Sequence, residues 1–460
     1  MMSKRASAQR KALACLILSA AISVAWGSWI AVESHSGFGA FKAIFYPARC
    51  LMRHSDPYNP PALQRLYESQ GGKFPPNPTD AFLFRRAMLV CVNLPTSLFL
   101  IVPLAVLPWK AAALIWMLQN VAGLSLAAFL VWIGAKDYAL KPATLLICLV
   151  LANCELLFGL ANLSALVESL CVVAVYCFLQ KRFLRAGVLC LGISLALKPQ
   201  IGGLVWFYFL LAGDVYRKRA LQALLVVAAL AVPAFLWVSH VSPQWPQELR
   251  ANLHTLSAQG SVNDPGPNSL TFRSVDTVIS LQSTFSLIRD EPGFYNLASY
   301  LTCGLLLFAG AIRTLKSPFT KQNAWFALAS VAMLSMLPVY HRGYDAKLLL
   351  LAVPACALLW REGGRLKWLA GVLTTLAIAS TSDVPATILL GLMNGMKHIG
   401  SVQGRLLTAF VFHSAPLVLL ATSSFYLWVY YRRTNQEKGR SAMALELRSS
   451  SLPASKGGNL

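Results

Sequence analysis

Residues 1–32 read MMSKRASAQRKALACLILSAAISVAWGSWIAV. From Ala12 to Val32 no residue carries a charge. A helix of about 20 apolar residues crosses the hydrocarbon of a bilayer. A secretory leader would have a shorter apolar stretch and a small-residue cleavage site after it. The run therefore reads as an uncleaved first span, with its basic end (Lys4, Arg5, Arg10, Lys11) in the cytoplasm.

Runs of the same kind recur along the chain. Candidate spans are 12–31, 84–107, 110–133, 142–158, 161–180, 186–213, 220–240, 297–313, 323–340, 344–360, 366–382 and 405–430. The chain is 56% hydrophobic and 13% charged, where a soluble domain has about a quarter of its residues charged. No period-two alternation of a barrel is present. The expected fold is all-α: a polytopic helical membrane protein of about 11–13 transmembrane helices. Residues 1–430 form one membrane domain with two larger external loops, 32–83 and 241–296. The tail 431–460 reads as basic, disordered and cytoplasmic.

The net charge of +22 does not point to nucleic acid, because no basic segment is interleaved with stacking aromatics. Much of it lies in short loops and tails, where it sets orientation and meets membrane lipids. Ten cysteines lie mostly in apolar runs without zinc-like spacing and read as small hydrophobes. Neither a cofactor nor a metal is demanded.

The basic segments YRKR (216–219), RTLKSPFTK (313–321), REGGRLK (361–367) and YRR (431–433) belong in the cytoplasm. Both long loops and the start of 341–354 then share the outer face. Counting spans puts KRFLR (181–185) outside, against that rule. A broken helix pair within 186–213, together with an earlier segment that does not fully cross, would restore the parity.

Several stretches carry groups suited to chemistry. Residues 41–53 read as an amphipathic interfacial helix, with Lys42, Arg49 and Arg53 toward lipid phosphates. In Asp56-Pro57-Tyr58-Asn59-Pro60, Asp56 serves as a turn cap or as an acid at the membrane surface. In LFGLANLSALVESL (157–170), Gly159 and Asn162 interrupt an apolar run that Glu155 and Glu168 flank. Ionisable groups at that depth face a protein interior or a wet cavity. In ALKPQ (196–200), Pro199 breaks the helix, and Lys198 either snorkels or meets a phosphate. The loop NDPGPNS (263–269) is a strong turn, with His254 and Arg273 as possible substrate contacts. In HRGYDAKLLLLAVP (341–354), helical geometry would place His341 on one face with Tyr344 and Asp345. Asp345 could then orient the imidazole, while Arg342 and Lys347 bind phosphate.

Taken in order, YPARCLMRHSDPYNP (46–60), NLPTSLFLIVPLAVLP (93–108), FGLANLSAL (158–166), ALKPQ, NDPGPNS and HRGYDAKLLLLAVP resemble the segments of glycosyltransferase family 87, within the GT-C superfamily. The resemblance implies a GT-C fold with its site at the outer face of the inner membrane, and the basic segments place both termini in the cytoplasm. It implies a polyprenyl-phosphate sugar donor carrying a mannosyl-like hexose, and a lipid-linked or polymeric glycan as acceptor. Two positions depart from the family. Ala40 stands where an Asp precedes Phe41, and Gly159-Leu160-Ala161-Asn162 lacks the usual Gln. The missing Asp leaves Glu33 or Asp56 as substitutes, or leaves the chain inactive.

The expected enzyme is thus a polyprenyl-phosphate-dependent hexosyltransferase. Asp56, Glu33 and Asp345 are the candidate acids, with His341 as their positioned partner. Lys198 and Arg342, with Asn162 and Tyr344, would bind the donor phosphate. The rivals are a polyprenyl-diphosphate glycan polymerase or ligase, a non-enzymatic lipid flippase or transporter, and a degenerate family member.

Overall fold

A computed structural model describes residues 2–34, 37–270, 278–384, 388 and 414–450. Arg273 and the first residues of the span expected at 405–430 lie outside them. Regular structure among the described residues is helical, apart from one isolated antiparallel bridge between Val278 and Arg342.

The first helices are α1 (Met2–Glu33), α2 (Gly39–Met52), α3 (Pro60–Ser69), α4 (Pro78–Met88), α5 (Pro95–Ala105) and α6 (Trp109–Leu151). The short α7 (Glu155–Gly159) leads into α8 (Ser164–Gln180), α9 (Leu184–Leu197), α10 (Pro199–Leu211) and α11 (Asp214–Val241). Next come α12 (Trp245–Ser257), α13 (Leu281–Ser286), α14 (Pro292–Lys316) and α15 (Lys321–Leu334). A 3-10 turn (Gly343–Leu351) continues as α16 (Ala352–Glu362), and α17 (Leu366–Ser380) and α18 (Ser414–Ser450) complete the series. Among the described residues, five segments are long and apolar enough to cross a membrane: Lys4–Glu33, Trp109–Leu151, Val215–Val241, Pro292–Lys316 and Gly343–Glu362. Shorter apolar helices pack between them. The chain is an all-α, multi-pass membrane protein.

The helices run between two chemically different ends. At one, Arg5 pairs with Asp137 at 2.8 Å, and the Arg361 guanidinium lies over the Tyr138 ring. There Arg433 pairs with Glu362, and Arg313 donates to Thr434. Tyr216 stacks on Phe319, and Lys321 donates to Gln180 at 2.8 Å. This is the basic end, and the last contact brings KRFLR to it. At the opposite end lie Phe38 and Ala40, whose amides donate to the carbonyls of Gly159 and Leu160.

The span expected at 84–107 does not form, and this correction restores the parity. Pro95 forces Leu94 into an extended conformation (ψ 153°), so α4 and α5 separate. Helix α5 has 11 residues, roughly 16 Å of length. Ser97, in its first turn, bonds Leu197 at the far end, and Trp109, just after it, stacks on Phe41 of α2. Both ends of α5 therefore lie on the same side of the bundle. The spans expected at 110–133 and 142–158 are two limbs of α6, which bends at Ala139 (φ −154°, ψ 96°). Pro142 supplies the cause, since its ring excludes a straight helix one turn earlier.

The helix expected at 41–53 forms as α2, but protein covers its apolar face. Phe41 stacks on Trp116 at 5.2 Å, and Phe45 and Tyr46 pack against Trp109. The boundary expected at residue 430 falls inside α18, which continues to Ser450. Thr434 is buried there by its bond to Arg313, so the residues just past 430 pack as helix where a disordered tail was expected.

Candidate active site

The break between α9 and α10 sets the geometry. Pro199 has no amide to donate, so the carbonyls ending α9 lose helical partners. Thr96 and Ser97 donate their hydroxyls to the carbonyls of Ala196 and Leu197, the latter at 2.7 Å. The N-terminal turn of α5 thus caps α9. Lys198, at the break, adopts φ −145°, ψ 84°, which turns it out of both helices.

Its ammonium donates to Asp345 Oδ1 at 3.0 Å and to Ser164 Oγ at 2.7 Å. Asp345 is buried, whereas the Lys198 side chain is 21% exposed. While the pair is closed, the lysine is therefore its member that a ligand can reach. Ser164 Oγ lies within hydrogen-bond reach of both Asp345 and Asn162 Oδ1, and its single proton serves one at a time. Asn162 Oδ1 also accepts from the Ser164 amide at 2.9 Å, closing a short turn ahead of α8. Ala161 precedes it at φ 50°, with its carbonyl accepting from Trp116 Nε1. Asn120 of α6 donates to the Asn162 carbonyl.

Asp345 has a second task. Its Oδ2 accepts from the Arg342 amide at 3.0 Å, capping the 3-10 turn. The helix expected over 341–348 starts only at Gly343, because Val278–Ile279 pairs with 341–342 as extended chain. His341 therefore does not share a helical face with Asp345. The two remain electrostatic neighbours. His341 Nδ1 donates to the Val339 carbonyl, and Nε2 is buried without a partner among the described residues. Burial holds the imidazole below its ordinary range, which leaves Nε2 a free acceptor at neutral pH.

The remaining candidates divide. The Arg342 guanidinium points away from Lys198, donating to the carbonyl of Val262, to Asn263 Oδ1 and to Tyr340. It thus grips the loop that follows α12. Tyr344 is buried on the 3-10 turn. Asp56 Oδ1 accepts from the Tyr58 amide at 2.8 Å, and its carboxyl faces Glu248 of α12. Burial, then Asp56, raises the Glu248 carboxyl above its ordinary range. Glu33 is exposed at the end of α1 and lines a cleft with Asp80 and Phe84. Among the described residues, neither Asp56 nor Glu33 hydrogen-bonds the Lys198–Asp345 pair.

Ser164 and Glu248 escaped the sequence reading. Only the Asn-Leu-Ser spacing hinted at the first. Lys347 lies in a second buried group: its ammonium bonds the Asn153 carbonyl and has Asp383, Glu168 and Glu155 as electrostatic neighbours. No set of three or more His, Cys, Asp or Glu side chains among the described residues is placed to hold a metal.

The sequence profile of glycosyltransferase family 87 matches residues 92–339, more than half of the chain. That stretch contains Asn162, Ser164 and Lys198 and stops just short of His341. No curated protein and no solved structure matches the chain.

Proposed function

The chain belongs to glycosyltransferase family 87, and from that premise we propose that it moves a mannosyl-like hexose from a polyprenyl phosphate to a glycan acceptor. The acceptor is a lipid-linked or polymeric glycan at the outer face of the inner membrane. The observation that carries this reading is the Lys198–Asp345–Ser164 cluster, which joins a partly exposed cation to a buried carboxylate at the meeting of three helix ends.

In this mechanism Lys198 binds the donor phosphate, which draws it from Asp345 and frees a carboxylate oxygen. The acceptor hydroxyl attacks C1 of the sugar. The bond from C1 to the phosphate oxygen breaks, and polyprenyl phosphate leaves with Lys198 matching its charge. Asp345 takes the hydroxyl proton as general base. Asp56 and Glu33 are less suited to that step, one facing another carboxyl and the other lying open in a separate cleft. With Asp absent at position 40, Asp345 supplies the base. His341 Nε2 is a hydrogen-bond acceptor for the incoming hydroxyl. Arg342 acts by position, fixing the loop above the cluster. Asn162 orients Ser164.

Positive residues concentrate in cytoplasmic loops, so the basic end faces the cytoplasm with both termini, and the cluster faces outward. Radiolabelled polyprenyl-monophosphate and polyprenyl-diphosphate sugars, offered separately to the purified chain, test the donor. Transfer from the monophosphate, lost in Asp345→Asn, is expected. Transfer from the diphosphate alone would mark a glycan polymerase or ligase, and no transfer from either would overturn the reading.

A further inference from the structure

A second cleft, of about 580 Å³, opens between α3, α4 and α12. Three arginines line it: Arg65 of α3, with Arg85 and Arg86 of α4. The one acid in its wall, Glu68, is held by Gln64 Nε2 at 2.8 Å. Arg65 and Arg85 are exposed, and among the described residues their guanidinium groups make no hydrogen bond or ion pair. Arg85 rests instead on the Phe74 ring. Free guanidiniums in a concave site hold donor forks ready for carboxylate or phosphate.

The cleft also presents an aromatic face. Phe82 is 48% exposed, and Arg86 lies over its ring at 5.0 Å. A ring of this kind packs against the carbon face of a sugar, while neighbouring cations take its acidic groups.

The cleft communicates with the cluster through one loop. Arg86 donates to Ser261 Oγ at 3.2 Å, and the next residue, Val262, gives its carbonyl to Arg342. Arg342 in turn gives its amide to Asp345. A ligand in the cleft thus lies across the 261–263 segment from the carboxylate.

We propose that this cleft binds the acceptor of the reaction described above, and that the acceptor is an anionic saccharide bearing carboxylate or phosphate groups. The proposal rests on the transferase reading for the word acceptor, but the binding itself can be measured without any transfer.

Calorimetric titration of the full chain in phosphatidylcholine nanodiscs, with tetragalacturonate and with neutral cellotetraose, is the test. Tetragalacturonate is expected to bind and cellotetraose to bind at least about tenfold more weakly. Arg65→Gln/Arg85→Gln should weaken tetragalacturonate by about tenfold or more, as loss of charged hydrogen bonds does, while Arg65→Lys/Arg85→Lys retains part of it. Unchanged thermal unfolding of the variants shows that the fold is intact. Equal binding of the two saccharides, absence of tetragalacturonate binding, or indifference to the arginines overturns the proposal. So does an arginine effect seen only as altered binding to phosphatidylglycerol vesicles, which would make the cleft a lipid-headgroup contact. Saccharide binding without sugar transfer would instead fail the transferase reading and leave the anionic cleft standing.

Discussion

Lys198 and Asp345, 147 residues apart in sequence, meet at 3.0 Å, and only the lysine has access to solvent. Their unequal burial separates two effects of mutation. Lys198→Met strands a buried carboxylate, and loss of one partner from such a pair costs about 3–5 kcal/mol. Asp345→Asn leaves a lysine that can reach water, so the stability loss is smaller. Activity should follow the opposite order, Asp345→Asn falling by about 10²–10⁴ as for loss of a general base. Denaturation and transfer assays on both variants check the reversal; the same ranking in both assays would refute it.

Lys42 gives a pH signature. It sits on α2, half-buried over the Phe84 ring at 5.4 Å, and burial lowers its pKa from 10.5 to about 8. Folding then disfavours its protonated form, so the full cost is present below about pH 8. Between about 8 and 10.5 the unfolded chain holds a proton that the folded chain has released, and stability rises with pH. Lys42→Met should stabilise at pH 7 by about 1–2 kcal/mol, after allowance for its partial exposure. Its advantage should fade by pH 10.5. Thermal unfolding of both proteins across that range measures the convergence.

Ala161 holds φ 50° beside the candidate site, where a side chain costs roughly 1–2 kcal/mol and glycine costs none. Ala161→Gly is expected to leave stability unchanged or raise it by up to about 1 kcal/mol. Ala161→Val should destabilise, because β-branching tolerates positive φ least. Chemical denaturation distinguishes them.

Sidedness is open to labelling. Gln259→Cys lies in the loop beyond α12, and Lys181→Cys lies at the basic end. An impermeant maleimide added to intact cells should modify the first and spare the second. Modification of Lys181→Cys from outside would invert the orientation.

Much of this arrangement could be read along the chain, because its causes are local. Proline at 199 announces a broken helix wherever it stands, and long uncharged runs announce spans. Hydropathy alone misplaced α5, since the Pro95 break acts on backbone conformation while leaving the run apolar. The Lys198–Asp345 contact was legible only as two suspicious residues in separate segments. Nothing near either one specifies its partner. His341 shows the reverse error. Its i, i+4 spacing to Asp345 is real, but Val278, distant in sequence, claims the backbone and holds it extended.

Helices α9 and α10, of 14 and 13 residues, rise from the basic end to Lys198. That is a climb of roughly 20 Å, against a hydrocarbon thickness of about 30 Å. The ammonium thus stands well beneath the far surface, at a depth where acyl tails would ordinarily be. For a charged headgroup to arrive there, the leaflet beside these helices has to dimple inward, so turnover should slow as the host lipids lengthen.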